Sequence, residues 1–487
     1  MDKIRYYGFY FKTMFFGYGN GYSEFCEGTT REDIELCPKG ANGFVSMDAN
    51  GSLPAKSNGS IQTEDRETKK LLAAEKAGTS SAWQAGWNVG NCMQGLGILS
   101  LPYTVKQSGV ASLFTIAGVL ILGNYTSKIL VDCLYEEEQT DGPGGEKRKR
   151  RVRNSYSDVA EACWNRWGNF LLNIITIVDV TAVATLYLEL SGSLLVDTFP
   201  MAGLSKLSWI CLSALAVLPT VFFKNLTRIS YLSLLAVMAI GAMLFSVVWY
   251  SFERSIRWDI DSIPSFEIEK FAISFSVILF NFGTQFVMPG VEESMRERNK
   301  FGRMVNLTYI AVALINILYA LFAFLTFREN TQEFITYNLP LGFIQTTVSL
   351  LFVFKSLLSY PLMFFLIVSS LESMELKFMP PCFPASEGER LPIWAIIFRF
   401  TLLLFTLFLA IVIPHFVLLM GVTGSLTSPW LDFIFPCIFH MQLKRGSLRF
   451  YHYFADIAII LIGLIGGGIG LAYSTKVLIQ VYTQGDE

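Results

Sequence analysis

Charge is scarce in this sequence. Of 487 residues only 16% are Asp, Glu, Lys or Arg, against about 25% in a soluble domain. The 40 acidic and 38 basic residues nearly cancel, leaving a net charge of −2. Nothing in that balance points to a polyanion, so nucleic acid is not an expected partner. The eight cysteines, at 26, 37, 92, 133, 163, 211, 382 and 437, form no CxxC and no Cys/His cluster, so the sequence calls for no metal and no cofactor. None of them falls in a loop read below as non-cytoplasmic, which argues against structural disulfides. Lys3, Arg5 and Lys12 interrupt the aromatic start of the chain. No small-residue cleavage site follows an apolar core there, so a cleaved signal peptide is not expected. A Walker A loop is also missing, which argues against an ATP-driven pump. No enzyme is expected.

Apolar residues dominate instead. The hydrophobic fraction is 52% and mean hydropathy is +0.44. Runs of roughly 20 apolar residues recur, the length that crosses about 30 Å of hydrocarbon. About eleven spans are expected, near 82–106, 110–134, 168–195, 207–224, 228–250, 270–292, 305–327, 343–370, 392–413, 415–438 and 455–482. Residues 1–80 are polar and rich in Gly, Ser, Asn, Glu and Lys. They are read as a disordered cytosolic tail, and 81–487 as the transmembrane domain. Lys147 to Arg153, Lys224 with Arg228, Arg296 to Arg303, and Lys444-Arg445 with Arg449 then share one side, which the positive-inside rule makes cytosolic. The odd number of spans puts the C-terminus opposite, in a lumen or outside. Asn50, Asn58, Asn124, Asn225 and Asn306 begin N-x-S/T triplets, but none lies in a non-cytosolic loop, so no N-glycosylation is expected.

Two spans are broken in matching positions of the two halves. Trp83 to Tyr103 is interrupted at Gln94-Gly95-Leu96-Gly97, and Ala272 to Val291 at Phe280-Asn281-Phe282-Gly283-Thr284. Unwound backbone cannot face lipid and survives only where it lines a protein-enclosed cavity. Paired Gly-interrupted spans point to the midplane binding site of a secondary transporter. Spans one to five and six to ten would form two inverted repeats, with the eleventh appended.

Several segments carry a resemblance. They are Ala82-Trp83-Gln84-Ala85-Gly86-Trp87-Asn88-Val89 with Gln94-Gly95 and Leu101-Pro102-Tyr103, then Lys128-Ile129-Leu130 and Cys133 to Glu137, then Lys355 to Leu362, and Pro414 to Thr427. Together they resemble the amino acid/auxin permease family over about residues 79–482, in particular the branch that loads GABA and glycine into synaptic vesicles. Asn281-Phe282-Gly283, Gly97 and Ser100 depart from that pattern. The resemblance implies an all-α polytopic membrane protein with a LeuT-type 5+5 inverted repeat and broken helices 1 and 6. It further implies vesicle loading of GABA and glycine, driven by exchange with protons, with chloride as an open co-substrate.

The candidate residues follow from the breaks and from charge in the membrane. Gly95, Leu96 and Gly97 offer free N–H groups and a half-helix start to a substrate carboxylate, or serve tight helix packing. Phe280, Asn281, Phe282, Thr284 and Gln285 are candidates to receive the amino group and close the pocket, or simply form a kink. Tyr360 and Thr423, with Ser425 and Thr427, are polar groups on expected cavity faces. Gly421 and Gly424 are read as loosening the tenth span. An intramembrane acid is a functional candidate by default. Asp179 is the first choice for proton coupling, the resemblance carrying an acid to that place, and Glu189 the second; a structural ion pair is the alternative. Lys355 either supplies a fixed positive charge where sodium-coupled relatives of this fold bind their ion, or pairs with an acid such as Asp179. His415 is a candidate sensor of an acidic lumen, or an ordinary interfacial histidine. In the tail, Glu67, Leu71 and Leu72 fit an acidic dileucine motif for a clathrin adaptor. Lys147 to Arg153 is a topology signal, with anionic lipid contact as an option. A sensor, a channel, and a lysosomal or plasma-membrane permease are the competing readings.

Overall fold

The structure, a computed structural model, describes residues 78, 80–139, 147–221, 229–259, 263–340, 342–374, 393–413 and 415–484. Glu67, Leu71 and Leu72 lie outside the described residues, as does nearly all of the expected tail. A cap starts the first helix: Ser81 Oγ accepts from the Gln84 N–H at 3.2 Å, and α1 runs Ala82–Met93. A 3-10 turn over Leu96–Ser100 leads into α2, Leu101–Ser108. Gly109, at φ 60°, turns the chain sharply into α3, Val110–Asp132.

A hairpin follows, β1 Tyr135–Gln139 against β2 Lys147–Arg151, and then α4, Tyr156–Thr198. Next come α5 Lys206–Val221, α6 Ile229–Glu253, α7 Ile268–Phe282 and α8 Met288–Ser294. The chain continues through α9 Phe301–Phe327, α10 Phe343–Ser373 and α11 Ile393–Val412. It ends with α12 Phe416–Leu426, a π-helical segment Pro429–Ile434, α13 Phe435–Leu443 and α14 Phe450–Gln484.

Helices satisfy their own backbone in hydrocarbon, and eight stretches here are long and apolar enough to cross a membrane. With the shorter apolar helices α5 and α6 and the α1–α2 pair, the described residues are consistent with the eleven crossings read from hydropathy. The fold is all-α, with the LeuT-type arrangement and two broken helices.

Two departures from the hydropathy reading have local causes. The third crossing starts well before residue 168 because Ser155 and Asp158 form a reciprocal capping box. A kink at Trp164 and Asn165, the latter at φ 54°, then separates this first turn from the crossing itself. The basic run after the second crossing is a strand, with Glu136 opposite Arg150 and Glu137 opposite Lys149. Cross-strand pairs of opposite charge stabilise such a hairpin. Lys149 also reaches Asp132 at 2.6 Å, and Arg153 reaches Glu136 at 2.5 Å.

Close packing of small residues joins α7, α12 and α14. A Cβ on Gly424 would lie 2.2 Å from the Ser276 carbonyl oxygen, and one on Gly470 would lie 2.1 Å from Ser276 Oγ. Gly421 meets Ser474 of α14 in the same way, at 2.9 Å. These glycines therefore hold an intact helix close to its neighbours. The tenth crossing is irregular further on, in the π segment. Replacement of Gly424 by Ala should destabilise the protein by about 1–3 kcal/mol, the usual range for overpacking, seen as a lower melting temperature in detergent. An unchanged melting temperature would show that the two helices separate there freely.

Candidate functional site

At the first break the helical ladder stops at Met93, and Gln94 caps it in a non-helical conformation. The freed Gln94 carbonyl accepts from Lys355 Nζ at 3.0 Å. Lys355 is buried on α10 beside the ring of Phe352, and no carboxylate pairs with it among the described residues. Its ammonium thus sits at the C-terminal end of α1, where a helix favours a cation. Lys355 thus lies at the first break rather than beside Asp179, whose hydrogen-bond partner is Thr427.

The second broken helix touches the first. The helix runs on through Asn281 and Phe282, so the second break is confined to Gly283 and Thr284 rather than starting at Phe280. A Cβ on Gly97 would lie 2.6 Å from Asn281 Oδ1 and 2.8 Å from Met420 Cε, so only glycine lets the 3-10 turn of the first break meet the last turn of α7. Asn281 is 5% exposed, and neither its Oδ1 nor its Nδ2 has a hydrogen-bond partner. A buried amide left unpaired carries a penalty of about 1–3 kcal/mol, and such a group calls for an explanation. Ser100, in the 3-10 turn of the first break, and Ser356, next to Lys355, are also buried with unpartnered hydroxyls. Leu96 and Phe282 are buried as well, and Phe280 lies against Gly424.

Thr284 and Gln285 differ from Asn281. Thr284 Oγ1 is 3.1 Å from the Tyr309 hydroxyl, which in turn is 2.8 Å from Ser127 Oγ. Gln285 Nε2 donates to Thr126 Oγ1 at 2.9 Å, and its Oε1 accepts from the Thr284 N–H at 3.0 Å. Both side chains tie the break to α3 and α9 and are already satisfied. Tyr360 is likewise committed, its hydroxyl 2.6 Å from Thr406 Oγ1 on α11.

Asp179 lies near the middle of the third crossing, and its Oδ1 is 2.6 Å from Thr427 Oγ1. The same hydroxyl is 2.9 Å from the carbonyl of Thr423, one turn earlier. Glu189 is instead in an ion pair: its Oε1 takes Lys206 Nζ at 2.7 Å and Ser193 Oγ at 2.9 Å, with His415 close enough to interact electrostatically. Glu189 is thus paired with a basic side chain, whereas Asp179 meets a hydroxyl.

Asp432 was missed. It is 5% exposed, sits in the π segment Pro429–Ile434, and has the backbone N–H groups of Thr284 and Gln285 beside it, the first of them also donating to Gln285 Oε1. Asp179 lies close enough to act on it electrostatically. Gly283 has no side chain where a Cβ would be 2.8 Å from Asp432 Oδ2. The sequence held the signal, an acid inside the apolar run Trp430-Leu431-Asp432-Phe433-Ile434, which the intramembrane-acid rule flags.

Both ends of the site are covered. On the face that carries the basic loops, Glu292 at the end of α8 is buried. It bonds the Tyr135 hydroxyl and lies 3.5 Å from Arg151 Nε and 3.7 Å from Arg298 Nε. Ser80 adds a backbone bridge there, its N–H donating to Ser294 and its carbonyl accepting from Arg296, each at 2.9 Å. On the opposite face the segment Arg328–Asn338 rests on the 3-10 turn Leu96–Ser100. It is held by Lys106 Nζ donating to the Thr331 carbonyl at 3.0 Å and by Phe334 against Phe416. Burial and the neighbouring Glu189 charge hold the Glu333 carboxyl in this segment above its ordinary value of 4.5, with Lys206 opposing.

Two broken helices meeting around an unpartnered buried amide, in an all-α membrane fold, define a transporter of the LeuT-type class. The crystal structure of MhsT in complex with L-phenylalanine shares this fold, with a TM-score of 0.52 at 11% identity, covering 82% of this chain and 99% of that one. The chain belongs to the family described as transmembrane amino acid transporter protein, which matches residues 78–476. It is similar to the vesicular inhibitory amino acid transporter of Xenopus laevis, 38% identical over 85% of this chain and 80% of the relative. The Homo sapiens protein of the same name is 38% identical over 82% of this chain and 77% of its own length. The vesicular GABA transporter of Caenorhabditis elegans is 30% identical over 87% and 85%. The protein is an amino acid transporter and not an enzyme.

Two outcomes are expected at this site. Replacing Lys355 by Met should leave the Gln94 carbonyl unpaired and abolish substrate-induced thermal stabilisation; an undiminished shift would remove Lys355 from the site. Glu333 should make its segment pH-sensitive. An acid whose folded pKa is raised stabilises the folded form while protonated. That contribution is complete below 4.5 and lost as pH rises through the raised value. Hydrogen exchange in 328–338, corrected for intrinsic rates, should therefore show more protection in acid, and Glu333→Gln should erase the difference. A wild-type profile independent of pH would contradict this assignment.

Proposed function

We propose that this protein loads GABA and glycine into synaptic vesicles as a secondary active transporter driven by the vesicular proton gradient. The observation that carries the reading is Asn281, buried, unpartnered and pressed against Gly97 where the two broken helices meet. An amide offers both a donor and an acceptor, so it suits a small zwitterion. The tight contact of Gly97, Asn281 and Met420 favours substrates with little or no side chain, in keeping with the names of the relatives.

In this reading the substrate carboxylate meets the N–H groups of Gly95, Leu96 and Gly97. Asn281 and the free carbonyls of α7 receive the amino group. Lys355 holds a fixed positive charge at the end of α1, so no sodium ion is required. The face carrying the basic loops is cytosolic and closed by the Glu292 cluster, while the C-terminus and the 328–338 segment face the vesicle lumen. Asp179 takes a proton from the acid lumen and returns it to the cytosol, and Thr427 follows its state. An ionised Asp179 accepts the Thr427 hydroxyl proton. A protonated Asp179 donates to Thr427 Oγ1, whose own proton then turns to the Thr423 carbonyl. Chloride is an open co-substrate. The tail of residues 1–80, with Glu67, Leu71 and Leu72, is cytosolic and engages a clathrin adaptor.

Uptake of labelled GABA and glycine into proteoliposomes with an acid, positive interior tests the reading, with and without chloride. Accumulation should collapse with a protonophore, ignore sodium, and be lost in Asp179→Asn. Uptake indifferent to the protonophore would point to another driving force.

A further inference from the structure

Asp432 has no role in the cycle above, yet its placement is specific. It faces Asp179 and Tyr156 from α4, and Tyr309 from α9. From the second break come the N–H groups of Thr284 and Gln285. No Lys, Arg or His pairs with Asp432 or with Asp179 among the described residues. Asp456 of α14, the other acid nearby in sequence, is taken by His440 Nδ1 at 2.7 Å and the Tyr125 hydroxyl at 2.8 Å. Thr427, just before the π segment, bonds Asp179, and Asp432 within that segment reaches the second break, where a Cβ on Gly283 would lie 2.8 Å from its Oδ2.

We propose that Asp179 and Asp432 carry one exchangeable proton between them, and that Asp432 transmits its position to the second broken helix. The proposal rests on the proton-coupled reading and deepens it. With the proton on Asp179, Asp432 is a carboxylate. Its charge strengthens the bonds from the Thr284 and Gln285 N–H groups and holds the start of α8 to the tenth crossing. With the proton on Asp432, Asp179 is the carboxylate and takes the Thr427 hydroxyl proton, while the hold on α8 loses its charge. The pair stays at minus one while the proton changes site, goes to minus two when the proton leaves for the cytosol, and returns to minus one when the lumen supplies the next. Asp432 is a positioning residue in this scheme: it acts on substrate through α8.

The test uses the full-length protein in proteoliposomes, with labelled GABA and glycine as probes and a pH dye inside. Asp432→Asn keeps an oxygen acceptor for the two N–H groups but cannot ionise. It should flatten the pH profile of uptake and cut substrate-evoked proton flux about ten-fold, the effect expected of Asp179→Asn. The double variant should be no worse than either single one, because coupled residues are non-additive. Asp432→Asn that lowers uptake equally at every pH, or keeps the wild-type proton flux, would show a structural role and overturn the proposal. Should Asp432→Asn not fold, Gly283→Ala decides: its methyl displaces the Asp432 carboxyl and should shift the pH profile, and an unshifted profile overturns the proposal. Wild-type protein without substrate-evoked proton flux would sink the proton-coupled reading itself, and this inference with it.

Discussion

Backbone left unpaired in hydrocarbon is the constraint from which the rest of this structure follows. Each break leaves peptide groups without helical partners, and an ionisable side chain stands at each. Lys355 takes the Gln94 carbonyl at the C-terminal end of α1. Asp432 stands at the Thr284 and Gln285 N–H groups ahead of α8, the first of which also bonds Gln285 Oε1. A basic group at a helix C-terminal end and an acidic one at an N-terminal end match the partial charges of helix ends. The acid near the middle of α4 is then close enough to act on Asp432.

Much of this was legible because hydrocarbon punishes polar backbone and rewards apolar runs of fixed length. The eleven crossings and both breaks follow from hydropathy interrupted by Gly95, Gly97 and Gly283. What escaped depends on contacts across the fold. Asn281, Thr284 and Gln285 read alike as polar side chains at a break, and only packing shows that Tyr309 and Thr126 satisfy two of them and leave Asn281 alone. Asp432 sits between two prolines in an otherwise apolar run, where the helix changes pitch, and a hydropathy window averages that change away. The hairpin escaped because its strands are charged rather than alternating, Glu facing Arg and Lys.

The remaining candidates divide by what surrounds them. Glu189 is held by Lys206 and Ser193 near the face opposite the basic loops, and Tyr360 by Thr406. Gly97 and Asn281 instead bring the 3-10 turn of the first break against the last turn of α7, and any side chain on residue 97 would occupy that contact. Selectivity for small amino acids would therefore reside in the backbone of the first break as much as in the side chains of the second.

The glycine contacts of α14 also bear on the kinematics of the molecule. Gly466 meets Phe275 of α7, Gly467 meets Pro429 of the π segment, and Gly470 meets Ser276 and Ser425. Helices in contact at this range have no slack through which to slide past one another. So α7, α12 and α14 form a single lever, with the first half of the second broken helix inside it. Its fulcrum lies where that lever gives way to unwound chain, at Gly283 and Thr284.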